Sequence, residues 1–159
     1  MQTFLPYHNI KQSIHVLDRQ RLGKQRVEAL QILHNLLGIS SGWRNHPAVK
    51  MWKGYEACLV DYTLECCRRW HEDFRYVDNV AAQVRLLEPL TVLTKHELPD
   101  YFTDEFHLSH QSNLIRKDRI YVPVFGMHIP NDLPYIWPIE RVIYLPDDVN
   151  SHLLTLMEN

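Results

Sequence analysis

The 159-residue chain lacks a long apolar run, a Gly/Ser-rich linker and any internal repeat. Its longest uninterrupted apolar stretches, such as residues 57–60, are far too short to span a membrane. Residues 1–6 show no basic start followed by an apolar stretch, so we expect no signal peptide. These absences exclude a membrane protein and a string of small modules. We expect one domain over residues 1–159 in a soluble, cytoplasmic protein.

Cysteine is also scarce, with only Cys58, Cys66 and the adjacent Cys67. An odd number with two side by side does not indicate a disulfide framework, and no CxxC pair offers a zinc knuckle. We therefore expect reduced, buried thiols.

A large net charge is absent, since the chain carries −2 at neutral pH. The charges are nevertheless unevenly distributed. Residues 1–53 hold eight Lys or Arg against two acids, and residues 71–110 hold eight acids against three bases. A protein that coats nucleic acid would be basic throughout. A basic N-terminal third still permits a local phosphate-binding site, although ordinary solvated helix faces fit the charges equally well.

Helical periodicity dominates what is present. Gly38 suits a helix end, and Thr103 suits an N-cap. The predicted helices cover residues 10–17, 18–37, 48–74, 79–88 and 104–117.

Apolar residues mark the inward side of the second predicted helix at Val27, Leu30, Leu33 and Leu37. After residue 117 the chain is rich in proline and aromatic residues, which predicts an extended wrap over a helical core. At most, residues 141–145 and 3–5 could form a two-stranded ribbon. The fold class predicted is mainly α.

The densest polar cluster of the chain lies at residues 18–28. On a helix, Asp18, Arg21, Gln25 and Glu28 share one stripe, and Lys24 lies one turn before Glu28. A carboxylate among cations and an amide could orient a nucleophile or act as a general base, and the cations could bind phosphates. The same spacing also fits a surface ion pair that contributes little to stability.

Several short motifs resemble the pyrimidine-dimer DNA glycosylase family, in particular its largely uncharacterised bacterial branch. They are Leu-Asp-Arg-Gln at residues 17–20, Leu22, Glu28 with Ala-Leu-Gln after it, and Gly-Trp-Arg-Asn-His-Pro at residues 42–47. Residues 109–118 and 135–138 are similar to the same branch, so the resemblance touches most of the chain.

The resemblance implies a bifunctional glycosylase and abasic-site lyase without a cofactor. In that family the α-amine at the start of the chain attacks the sugar C1′ and displaces the base, and a Schiff base and β-elimination follow. The matching glutamate, Glu28, would hold the sugar and shuttle protons. Because Gln2 is bulky, we expect Met1 to be retained and its amine to be the nucleophile, since an α-amine is less protonated at neutral pH than a lysine. Lys24 is the alternative amine, but it would need desolvation to lose its proton.

The partner implied is damaged or abasic double-stranded DNA, with no membrane and no obligate protein partner. We expect DNA phosphates or the exposed nucleotide to contact a set of polar residues. These are Arg19, Arg21, Gln25, Arg26, Arg44, Asn45, His46, His110 and Lys117. The loop before Pro47 has a second interpretation, in which Asn45 caps the next helix and His46 packs against the core.

Two other functions fit the same residues. One is a non-catalytic nucleic-acid-binding module in which Glu28 is structural. The other is a small-nucleotide or base hydrolase that uses Glu28 with histidines. The ten histidines include His107 and His110 at i, i+3, but local spacing fixes no third ligand, so we expect no metal.

Overall fold

The structure, a computed structural model, describes residues 1–139, and within that range it contains helices and no β-strand. The mainly helical fold is therefore confirmed. The helices are α1 (Ile10–His15), α2 (Arg19–Leu36), α3 (Pro47–Lys50), α4 (Glu56–Glu72), α5 (Ala81–Leu87), α6 (Asp104–Lys117) and α7 (Val122–Phe125). Short 3-10 turns cover Glu88–Thr91 and Arg119–Tyr121.

Side-chain caps set the beginnings of three helices. The carboxylate of Asp18 accepts the N–H groups of Gln20 at 2.9 Å and Arg21 at 3.2 Å, which starts α2. The hydroxyl of Thr103 accepts the Phe106 N–H and starts α6, and Asn9 caps α1 in the same way. Each cap satisfies donors that a helix leaves open in its first turn.

The core forms where α2 packs along α4 and α1 packs on α4. Leu30 and Leu33 are buried, as predicted, whereas Leu37 lies past the end of α2 and is half-buried. The inward position predicted for Val27 is wrong, because its side chain is 44% exposed. Residue 26 lies on the buried face instead. Residue 27 is rotated from it by about 100° around the helix axis and therefore faces solvent.

The single helix predicted over residues 48–74 is wrong, because a turn between α3 and α4 interrupts it. Gly54 lies in this turn with φ +86°, a conformation that L side chains rarely adopt. Backbone N–H groups in the first turn of α4 donate to residues outside the helix. The Ala57 N–H donates to the Thr94 hydroxyl at 2.8 Å, and the Cys58 N–H donates to the Lys95 carbonyl at 3.0 Å.

The extended wrap predicted after residue 117 is only partly right. Residues 126–139 run without helix over the core, whereas the 3-10 turn Arg119–Tyr121 and α7 lie within the predicted segment. Pro123 stands in the first turn of α7, where a helix accepts proline. The ribbon partner proposed at residues 141–145 lies outside the described residues. The three cysteines are buried and unpaired. Among residues 1–139, no helix combines the length and apolar character needed to cross a membrane.

Candidate active site

The N-terminal segment, residues 1–6, passes between helices with residues 2–6 buried, and side chains of α2 hold its backbone. The Gln2 N–H donates to Glu28 Oε2 at 3.1 Å, and the Phe4 N–H donates to Gln25 Oε1 at 2.8 Å. The Tyr62 hydroxyl of α4 donates to the same Gln25 oxygen at 2.7 Å. Glu28 and Gln25 therefore fix the position of the chain start through direct hydrogen bonds.

Helix α6 holds the other end of the N-terminal segment. The Leu5 N–H donates to His110 Nδ1 at 2.8 Å, and His107 Nδ1 donates to the Leu5 carbonyl at 2.6 Å. The Gln111 side chain donates to the Pro6 carbonyl at 2.8 Å. Burial lowers the pKa of His110 to about 3, so this ring is neutral at physiological pH and accepts from the backbone.

A pocket of about 290 Å³ opens beside the N-terminal segment. Its wall contains all three proposed catalytic residues and three of the proposed DNA-binding residues. It is lined by Met1, Gln2, Phe4, Gln20, Arg21, Lys24, Gln25, Glu28, Lys117 and Tyr135. Residues from the chain start, α2, α6 and the C-terminal wrap thus meet at one place.

Among residues 1–139, Glu28 is the only carboxylate that lines this pocket. Its side chain is 19% exposed, whereas that of Lys24 is 70% exposed, and Lys24 Nζ lies 3.9 Å from Glu28 Oε1. One Glu28 oxygen is thus held by the Gln2 N–H and the other faces a cation. A carboxylate held in this way can accept a proton from a group in the pocket.

His46 caps α3 and lies near the same charges. Its Nδ1 accepts the backbone N–H two residues further on at 3.0 Å, and its ring contacts Trp43 and Trp137 edge to face. Burial lowers the pKa of His46, the positive Met1 amine lowers it further, and the Glu28 carboxylate opposes both. His46 is therefore a neutral ring in an aromatic surface close to the pocket.

Arg26 is buried and already has a charged partner. Its side chain is 9% exposed, and its guanidinium forms an ion pair with Asp78 and lies 4.4 Å from the centre of the Trp70 ring. A phosphate would have to compete with this buried pair for Arg26. Arg19, in contrast, is exposed and donates to the Tyr76 hydroxyl at 2.8 Å.

The remaining expected contacts divide between surface and interior. Arg44 and Asn45 are exposed in the loop before α3, and His46 rather than Asn45 caps that helix. Gln25 and His110 are buried, and both bond to the backbone of the N-terminal segment. Their places indicate that they position the chain start.

The histidines do not assemble a metal centre in the part of the chain that the structure describes, since no group of three potential ligands is arranged to hold an ion. His107 and His110, the pair at i, i+3, bond instead to the two backbone groups of Leu5.

Sequence reasoning missed the buried path of residues 2–6. The partners in the bond from Leu5 to His110 are 105 positions apart, so no local pattern could have shown it. The sequence places Gln25 on a polar stripe and His110 on a helix, but neither position indicates that its partner is the N-terminal backbone.

Comparison with known families agrees with the motif resemblance. Residues 1–82, just over half of the chain, match a family model described as pyrimidine dimer DNA glycosylase. The matched part contains α1 to α4 and therefore Met1, Lys24 and Glu28. The chain has no significant match among curated proteins or among solved structures.

Proposed function

The chain belongs to the pyrimidine dimer DNA glycosylase family, and we propose that it releases a damaged base from double-stranded DNA and then cleaves the strand at the abasic site. The family's named activity is glycosylase action on pyrimidine dimers in DNA. The observation that carries the further steps is the meeting of the Met1 amine, Glu28 and several cations in one pocket.

In the proposed reaction, the nitrogen of the Met1 α-amine attacks C1′ of the target nucleotide. The bond from C1′ to the base breaks, and its electron pair leaves with the base, which takes up a proton. The C1′–O4′ bond of the sugar then breaks, O4′ takes up a proton, and the amine nitrogen loses its protons as the Schiff base to C1′ forms. Loss of a proton from C2′ then breaks the C3′–O bond, and hydrolysis of the Schiff base regenerates the amine.

Glu28 has the position that this reaction requires. Its carboxylate lines the same pocket as Met1, and the Gln2 N–H holds it next to the residue that carries the amine. It can accept the protons that the amine and C2′ lose, because it is an acceptor within the pocket.

Met1 is the preferred nucleophile on grounds of burial. The Met1 residue is half-buried and follows a fixed path because its neighbour is bonded to Glu28. The Lys24 side chain is 70% exposed, so nothing desolvates its ammonium, and its flexible stem is not held by packing. Lys24 is better suited to binding a phosphate.

The DNA strand would cross the mouth of the pocket. Arg21, Lys24 and Lys117 line it and supply positive charge, while Arg19 and Arg44 are exposed cations outside it. Arg21 shares its charge with the carboxylates of Asp18 at 3.2 Å and Asp118 at 3.5 Å, so Lys24 and Lys117 are the freer cations of the wall. These cations can neutralise backbone phosphates and set the position of the duplex. Asn45 and His46 lie in the loop beside Trp43 and can contact the exposed nucleotide.

The test is borohydride trapping on a duplex with a single abasic site, followed by mass mapping of the cross-link. We expect an adduct at Met1 in the wild-type protein. Glu28→Gln should lower adduct formation and strand cleavage at least about 100-fold, since it removes the general base. Glu28→Gln should still bind the duplex. Glu97→Gln, an exposed acid outside the pocket, serves as the matched control and should behave as the wild type.

The adduct's location decides between the amines, because trapping at Lys24 would reverse the assignment. If folded wild-type protein gives no adduct at low salt, the lyase mechanism is wrong. Duplex binding that persists without an adduct would then favour the non-catalytic binding module. Turnover of free nucleotides would favour the small-molecule hydrolase.

A further inference from the structure

The Gln2 side chain has a hydrogen-bond donor without a partner beside the proposed reaction site. Gln2 is 6% exposed and lines the pocket. Its Oε1 accepts the Thr3 N–H at 2.9 Å, which fixes which end of the carboxamide is the oxygen. The other end, Nε2, is buried and has no hydrogen-bond partner among residues 1–139.

A buried amide donor without a partner is unfavourable, so nearly all such groups in proteins are bonded to protein or to an ordered molecule. Part of Gln2 lines the pocket, while Nε2 itself has almost no accessible surface, so an acceptor in the pocket can reach it only after the carboxamide turns toward the pocket. The substrate can supply that acceptor in the complex.

The character of the pocket indicates which substrate atom this is. Arg21, Lys24 and Lys117 already provide charge for phosphate oxygens. A neutral carboxamide matches a neutral carbonyl oxygen, which a pyrimidine base carries at C2 and C4. Position favours the oxygen at C2, because this atom is three bonds from C1′, where the amine of the preceding residue would react.

We propose that Gln2 Nε2 donates a hydrogen bond to O2 of the target pyrimidine and stabilises the base as it leaves, an inference that rests on the proposed function. When the C1′–N1 bond breaks, its electron pair passes to the base and is shared between N1 and O2. A donor already aimed at O2 binds that developing negative charge more strongly than it binds the neutral carbonyl. The base then takes up a proton, and Gln2 itself is unchanged.

The test separates base release from strand cleavage. Gln2→Met removes the donors, keeps the length of the side chain and, like Gln2, is bulky enough for retention of Met1. Gln2→Glu keeps an acceptor for the Thr3 N–H and also lacks the donors. Gln83→Met, exposed on α5, is the matched control. Each protein is measured in single-turnover reactions on one duplex with a single cyclobutane pyrimidine dimer and on another with a preformed abasic site.

We expect Gln2→Met to slow base release about 100-fold, the scale observed when one donor to a developing negative charge is removed. The abasic duplex has no base, so its cleavage should stay within about twofold of the wild type. Gln2→Glu should show the same preference for the abasic duplex, and Gln83→Met should match the wild type on both.

Equal losses on the two duplexes would overturn the proposal, because they would show that the Gln2 side chain supports the chain start and not the base. No loss on either duplex would overturn it as well. If wild-type protein cleaves the abasic duplex and forms the trapped adduct, the proposed function stands whatever Gln2 does. If wild-type protein does neither, the proposed function fails and this proposal fails with it.

Discussion

At the residue scale, the chemistry of this site depends on side chains that would ordinarily be assigned to the core. His110 is fully buried, yet its Nδ1 accepts the Leu5 N–H, and Gln25 does the same for Phe4. An extended chain between helices has backbone N–H groups that no helix or sheet satisfies, so side chains must do so. Buried polar residues therefore hold the N-terminal segment, and with it the start of the chain, in place.

The neutral state of His110 makes the stability of the protein dependent on pH. Burial and, to a smaller extent, the nearby His107 lower the pKa of His110 to about 3, whereas an unfolded chain returns it to about 6.5. Between these values the unfolded state binds the extra proton, so stability is complete above about pH 6.5 and falls as the pH falls below it. From pH 7.5 to 5.5 we expect His110 to contribute a loss of about 1.4 kcal/mol in the free energy of unfolding.

Urea unfolding of the wild type and of His110→Asn at the two pH values measures this contribution. Asn can accept the Leu5 N–H but does not titrate in this range. The variant should lose about 1.4 kcal/mol less than the wild type on acidification, even if it is less stable at both pH values. Equal losses in the two proteins would show that His110 does not carry the dependence.

At the element scale, α2 shows what could be predicted and what could not. Its polar stripe is a local feature, and Arg21, Gln25 and Glu28 of that stripe line one pocket. The break before α4 was missed because one glycine, Gly54, decides it against a continuous apolar pattern. The partner of Arg26 was missed for a different reason. Charge alone cannot show whether a cation on α2 faces phosphate or a distant carboxylate such as Asp78.

Arg26 should matter for stability and not for DNA binding. The Arg26 and Asp78 side chains are 9% and 10% exposed, so Arg26→Met leaves a buried carboxylate without its partner. We expect the free energy of unfolding to fall by about 3 kcal/mol, as when other buried pairs lose one member. The dependence of duplex affinity on salt concentration should stay unchanged, because no phosphate contact is lost.

Arg19→Met is the matched comparison, because Arg19 is an exposed cation about two turns earlier on the same helix. It should leave stability within about 0.5 kcal/mol of the wild type and weaken duplex binding. A weaker salt dependence in Arg26→Met, measured by fluorescence anisotropy, would restore Arg26 to the DNA contacts.

At the scale of the whole molecule, the site is a product of tertiary structure. The family model matches residues 1–82, yet Lys117 and Tyr135 complete the pocket from outside that range. Sequence could assign the family and most of the helices, because motif and periodicity are local. It could not show that the chain start is buried among α2, α4 and α6, because contacts between residues so far apart in sequence leave no periodic signal.

The uneven charge of the whole chain leads to the last prediction, since only cations near the pocket should bind phosphate. Each phosphate contact releases condensed counterions, so the slope of log affinity against log salt is about −0.9 per contact.

Lys117→Gln, a change in the pocket wall, should make this negative slope less steep by about 1 and weaken binding equally for all duplex sequences. Lys95 is exposed, belongs to the acidic segment of residues 71–110 and lies near Tyr55. Lys95→Gln should therefore leave the slope unchanged. Anisotropy titrations between about 50 and 200 mM salt cover the range over which such slopes are measured. Equal slopes for Lys117→Gln and the wild type would place the duplex elsewhere, because a strand that enters this pocket must pass the end of α6.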